Sequence, residues 1–159
     1  MTFAADTAVS PEGGGRYRSE IRGGWDIGGN ANGGYLLALA ARAMGHHGGR
    51  PDPVTITAHY LAPGKEGPVS VACETVKEGR RFATVSARMA AGDRPLLQVL
   101  GAFGDLAEAI GGPERVEASP PALPPLEDCI HSAAGPGFAP PFMGRVELAD
   151  YTLFDFGVT

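Results

Sequence analysis

Every position from 35 to 44 is apolar except Arg42, so this run lacks the polar stripe of a surface helix. Leu and Ala dominate it, and the pattern predicts a helix over 30–44 that is buried and wrapped by other structure. Residues 16–22 have a different period: Tyr17, Ser19 and Ile21 alternate with Arg16, Arg18, Glu20 and Arg22, which predicts a half-exposed strand. After Pro51 and Pro53 come four strand-like runs, over 54–62, 68–78, 81–91 and 95–104. Pro63-Gly64, Glu78-Gly79-Arg80 and Gly92-Asp93 separate them as turns, so the last three form an antiparallel meander.

One buried helix followed by such a meander defines an α+β domain in which a long antiparallel sheet curls around a central helix. Strands of about ten residues need that curvature to cover the helix. Connections this short exclude a parallel sheet.

A chain of 159 residues fits one ordinary domain with a sizeable core. The 24 Gly and 14 Pro exceed average usage and signal turns and extended segments. Residues 1–15, small and Gly-rich, are expected as a flexible arm before a domain over 16–104. Pro113, Pro120, Pro121, Pro124 and Pro125 lie in an acidic stretch without periodicity, which predicts a linker over 105–140. Beyond it, 142–148 and 151–156 have strand character.

The net charge of −5 divides unevenly, with 11 Lys/Arg against 9 Asp/Glu up to residue 104 and 2 against 9 after it. The first part can greet an anionic ligand and the tail cannot. No basic run is interleaved with aromatics, so nucleic acid is not an expected partner. The longest apolar run is too short for a bilayer, and no apolar leader opens the chain, so a cytoplasmic protein with no membrane segment is expected. Two cysteines, Cys73 and Cys129, make neither a disulfide framework nor a metal set. The adjacent His46 and His47 would diverge by about 100° on a helix and do not converge on one ion, so no metal is expected.

The candidate chemistry sits at the helix start. Asn32 or Asn30 is a good N-cap, and Gly33 and Gly34 follow without side chains to shield the first free backbone N–H groups. At the positive end of the helix dipole, those groups can hold an anion or a polarised carbonyl oxygen. The alternative is an ordinary cap whose glycines admit a neighbouring strand. His59 shares a strand face with Thr55 and Thr57, as a hydrogen-bonded sheet residue or a general base. No Gly-x-Ser-x-Gly elbow supports a serine nucleophile.

Three segments, Asn32-Gly33-Gly34-Tyr35-Leu36-Leu37-Ala38-Leu39, Val54-Thr55-Ile56-Thr57-Ala58-His59-Tyr60-Leu61-Ala62-Pro63-Gly64 and Glu78-Gly79-Arg80-Arg81-Phe82-Ala83-Thr84, resemble the hotdog-fold acyl-CoA thioesterases, most closely the acyl-CoA thioesterase II family. The resemblance covers roughly 16–104 and implies an acyl-CoA substrate, no separate cofactor and a homodimer or higher homo-oligomer. Family members usually carry two hotdog repeats. Here 16–104 resembles the first, with a linker and, over 141–159, the opening strands of a second. The family's catalytic carboxylate and its partners lie chiefly in the second repeat, and no position here inherits those roles.

The resemblance implies that the amides of Gly33, Gly34 and Tyr35 face the thioester oxygen. Asp26-Ile27-Gly28-Gly29 loosely resembles the Asp-x-x-Gly of single-repeat hotdog thioesterases, whose Asp is base or nucleophile. A turn-forming Asp is the alternative. Asn30 and Asn32 can orient water or substrate, and Arg80 and Arg81, unless merely solvated at a hairpin turn, can meet the phosphates of coenzyme A. The acyl chain would lie against Tyr35, Leu36 and Tyr60, with His59 nearby. Two rivals remain: a non-catalytic acyl-binding or structural half of a double-hotdog protein, and a hydratase on the same fold, whose Asp-x-x-x-x-His pairing is not seen at the helix start.

Overall fold

The computed structural model describes residues 2–107, 119, 124–131, 140–146 and 149–150. Helix α1 (Phe3–Asp6) and strands β1 (Ser10–Gly13) and β2 (Arg16–Ile21) open the chain. A small hairpin of β3 (Asp26–Ile27) and β4 (Asn30–Ala31) then leads into helix α2 (Gly33–Gly48). Strands β5 (Asp52–Tyr60), β6 (Gly67–Glu78), β7 (Ala83–Ala91) and β8 (Arg94–Gly104) follow. Farther on, β9 (Ile130–His131) pairs antiparallel with β10 (Ala149–Asp150).

Six strands form one sheet in the order β1-β2-β6-β7-β8-β5, every neighbour antiparallel. The predicted meander of β6, β7 and β8 is its centre. The chain leaving α2 crosses to the far side of β8, so β5 becomes one edge and β1 the other.

Alternation along the strands gives the sheet two unlike faces. Val69 and Val71 of β6, Val85, Ala87 and Met89 of β7, and Leu97, Val99 and Phe103 of β8 are buried. They meet Leu36, Leu39, Ala40, Ala43 and Met44 of α2 in a single core. The opposite face carries Glu74, Arg88, Gln98 and Leu100 into solvent.

Helix α2 starts at Gly33 because Asn32 caps it, its side-chain Oδ1 accepting from the Tyr35 amide at 3.2 Å. Asn30 and Ala31, expected inside the helix, are instead the second strand of the small hairpin. The sheet curls over α2, and Leu37, Ala38 and Ala41 on the side away from it are half-buried. Apolar composition thus overstated the burial, because alanines tolerate a half-exposed face at little cost. The histidines at its end diverge to different strands, His46 to the Tyr17 hydroxyl at 3.0 Å and His47 to Thr75 at 3.1 Å.

Residues 2–15, part of the stretch expected as a flexible arm, pack onto the domain. Gly13, Gly14 and Gly15 all have positive φ and make the tight turn that pairs β1 with β2, so these glycines serve a hairpin and not a loose tether. Asp6 and Thr7 are buried. In the tail, 141–144, where strand character begins at 142, forms a 3-10 turn beginning at Pro141. The expected strand over 151–156 and most of the Pro-rich stretch lie outside the described residues. Among the described residues no helix is long and apolar enough to cross a membrane.

Candidate functional site

The first turn of α2 has four backbone N–H groups that no helical carbonyl can reach. Asn32 N–H donates to the Trp25 carbonyl at 2.7 Å and Tyr35 N–H to the Asn32 side chain. That leaves the amides of Gly33 and Gly34 without an intramolecular partner among the described residues. Both sit at the positive end of the helix dipole.

Gly33 opens onto a cleft of about 380 Å³ lined by Asn30, Ala31, Leu36, Tyr60 and the 61–64 loop. Tyr60 closes one wall, its hydroxyl donating to the Gly33 carbonyl at 2.9 Å. The loop's Gly64 comes so close that a Cβ there would lie 3.0 Å from Leu36 and 3.1 Å from Ile21. Its carbonyl accepts from Ala31 N–H at 2.9 Å, tying the small hairpin to the cleft. The wall is largely apolar, its polar side chains being those of Asn30 and Tyr60.

Of the residues singled out from sequence, Asn30, Gly33, Leu36 and Tyr60 line this cleft, and Asn32 and Gly34 flank Gly33 along the chain. Tyr35 does not. Its ring is buried and stacks on Trp25 at 5.2 Å, and its hydroxyl donates to the Asp6 carbonyl at 2.9 Å. Its amide is used by the cap, so two free amides remain where three were expected.

Asp26 is half-buried, its carboxylate accepting from the Gly29 amide at 3.2 Å as a turn former does. It lines a smaller cavity of about 150 Å³ with Arg22, Glu66 and Ala31. Ala31 also lines the cleft, so the carboxylate stands behind the cleft wall.

His59 pairs with Gln98 on β8, while Tyr60 pairs with Leu97. Since Leu97 faces the core, His59, Thr57 and Thr55 point from the other face of the sheet, away from α2. A one-residue step in a strand decides which face a side chain takes. His59 is therefore outside the cleft.

Arg80 and Arg81 stand at the tip of the β6–β7 hairpin, beside the end of α2: Arg50 donates to the Arg80 carbonyl at 3.0 Å, and Gly48 packs on Ala83 and Val85. The 16 residues of α2 span about 24 Å and separate them from Gly33. With Lys77, Phe82 and Val54 they line a second cleft of about 350 Å³. Within one chain the two clefts do not meet.

Burial pushes the Cys73 thiol up to about 12, so Cys73 is no nucleophile. Burial also raises the Tyr35 hydroxyl above its ordinary value, opposed by the hydrogen bond from the Arg22 amide. Asp6, Trp25, Lys65 and Arg145 were missed from sequence. Lys65 Nζ donates to the Gly29 carbonyl at 2.9 Å, and the other three meet beside the helix start. A lone tryptophan just before the Asn32-capped helix was the available signal.

A helix laid across a long antiparallel sheet of this strand order, with a capped start opening on an apolar cleft, is the hotdog fold. The chain belongs to the family of the acyl-CoA thioesterase N-terminal domain, whose pattern matches residues 21–104. A Thioesterase-like protein TwmA from Talaromyces wortmannii is 42% identical over 72 residues, 43% of this chain and 21% of that protein. A Thermobifida fusca structure described as a thioesterase II superposes with a TM-score of 0.84 at 28% identity, over 94% of this chain and 56% of that one. A hotdog-fold protein of unknown function from Alicyclobacillus acidocaldarius gives 0.78 at 22% identity, over 89% of this chain and 52% of that one. The chain thus spans about a fifth of that curated relative and little more than half of these two structures.

Proposed function

We propose that this chain binds the thioester of a fatty acyl-CoA and hydrolyses it, with the carbonyl oxygen on the amides of Gly33 and Gly34. The observation that carries this is the pair of unpartnered amides at the helix start, where Gly33 lines an apolar cleft. Two fixed dipoles aimed at one point stabilise the charge that grows on oxygen as water adds to the thioester carbon. The acyl chain lies against Leu36 and Tyr60. Asp26 is assigned as the base because its carboxylate lines the cavity that shares Ala31 with the cleft.

A homodimer fits the exposed edge of β5, where Val54 and Tyr60 are 44% and 53% exposed. Two copies of one strand related by a two-fold axis pair antiparallel. That pairing carries the Arg80 end of one copy toward the Gly33 end of the other, so the guanidinium groups can hold the coenzyme A phosphates in trans. Two free cysteines suit a reducing cytoplasm, with a role in lipid metabolism.

The second reading is a non-catalytic acyl-binding half of a double-hotdog protein, favoured by the withdrawal of Asp26 into its turn. Release of free thiol from short, medium and long acyl-CoAs, with binding and light scattering in parallel, decides between them. Turnover above background supports hydrolysis. Binding without turnover supports the acyl-binding half, and neither defeats both.

A further inference from the structure

The β3–β4 hairpin and the helix start are fastened from the distant part of the chain by one side chain. Arg145 follows the 3-10 turn Pro141–Gly144, which packs beside β3. Its guanidinium donates to the Gly23 carbonyl at 3.0 Å, lies 3.6 Å from the Asp6 carboxylate and covers the Trp25 ring at 5.9 Å from its centroid. Asp6 is 3% exposed, and the same carboxylate oxygen accepts the Trp25 indole N–H at 3.0 Å. A carboxylate so far out of water is costly unless it is paired and hydrogen-bonded, and these two donors do both.

The backbone is shaped to admit the guanidinium. Gly24 has φ +86, and a Cβ there would lie 2.7 Å from the Arg145 nitrogen. From Trp25 two routes run to the first turn of α2: its carbonyl holds the Asn32 amide, and its ring stacks on Tyr35. Anything that moves Trp25 moves the cap.

We infer that Arg145 is a positioning residue for the helix-start cleft, acting through Asp6 and Trp25 on Asn32, so that the geometry of the Gly33 and Gly34 amides depends on a segment more than a hundred residues downstream. Asp6, Trp25 and Arg145 work as one clasp. Planarity matters to it, because the guanidinium must reach a carboxylate and a carbonyl while lying on an indole, which an ammonium cannot do. Its consequence for turnover rests on the thioester reading given above; its structural content does not.

The test is amide hydrogen exchange of the full chain, comparing the native protein with Arg145→Ala, Arg145→Lys and Asp6→Asn, together with emission from Trp25, the single tryptophan. In Arg145→Ala, exchange at Asn32 and Tyr35 should quicken about tenfold and the Trp25 emission should shift to the red, with the core amides of Val85 and Val99 unchanged. Arg145→Lys should fall between, and Asp6→Asn should follow Arg145→Ala in direction even if the latter folds poorly. Unchanged exchange at Asn32, or an equal rise at Val85 and Val99, would overturn the inference. Acyl-CoA turnover is read on the same samples: a native protein without turnover sinks the hydrolase reading and leaves the clasp to be judged by exchange alone.

Discussion

The Tyr60 hydroxyl donates to the Gly33 carbonyl across 2.9 Å, joining the end of the edge strand β5 to the first residue of α2. This bond fixes the width of the cleft mouth between strand and helix. Tyr60 is 53% exposed, so water takes over much of what the hydroxyl supplies. Tyr60→Phe should therefore cost less than about 1 kcal/mol of stability by thermal denaturation. A larger change is expected in acyl-CoA affinity, read by titration; unaltered affinity would remove Tyr60 from the site.

Asn32 has two roles that substitutions can separate. Asn32→Ala should cost about 1 kcal/mol of stability through the lost cap. Asn32→Asp should keep the cap and gain up to about 1 kcal/mol from a negative charge at the helix start. The same charge beside the Gly33 and Gly34 amides competes with a thioester oxygen, so Asn32→Asp should be more stable and slower. A variant both stable and fully active would count against those amides as the oxyanion site.

Asp26→Asn preserves an oxygen that can accept the Gly29 N–H, so the variant should fold as well as the native protein. If Asp26 is the base, hydrolysis should fall by roughly a hundredfold or more. A rate that does not move, in a protein that turns over, removes Asp26 from the mechanism.

Cys73 makes stability fall at alkaline pH. Its folded value of about 12 lies above the ordinary 9.0, so between those values the folded protein holds a proton that the unfolded chain releases. The associated stability is complete below about pH 9 and is lost as pH rises toward 12, because the unfolded state binds fewer protons there. Burial raises Tyr17 and Tyr35 too, adding to the loss above pH 10. Denaturant midpoints measured from pH 8 to 11 should decline, and Cys73→Ala should flatten the lower part of that decline.

Much of the fold was legible along the chain because its determinants are local. The alternation in β2 and the turn at Gly92-Asp93 depend on neighbours within a few residues and stand where the pattern placed them, and of the two cap candidates Asn32 starts the helix. Side-chain period alone also put His59 with Thr55 and Thr57 on one face and Tyr60 on the other. Which of those faces met the helix was decided by pairing His59 with Gln98 and Tyr60 with Leu97, a choice made between segments far apart in sequence. Likewise Arg80 could be seen at a hairpin tip, but its separation from Gly33 followed from the direction in which α2 crosses the sheet. The clasp was hidden for the same reason: nothing near Asp6 or Arg145 announces the other, and their meeting at Trp25 exists only once the chain has closed on itself. Sequence by itself determined the long helix, the strands of the sheet from β2 onward and a cap at Asn30 or Asn32. Tertiary structure decided which residues share a cleft, because burial is settled by the packing of distant segments and not by the period of any one of them.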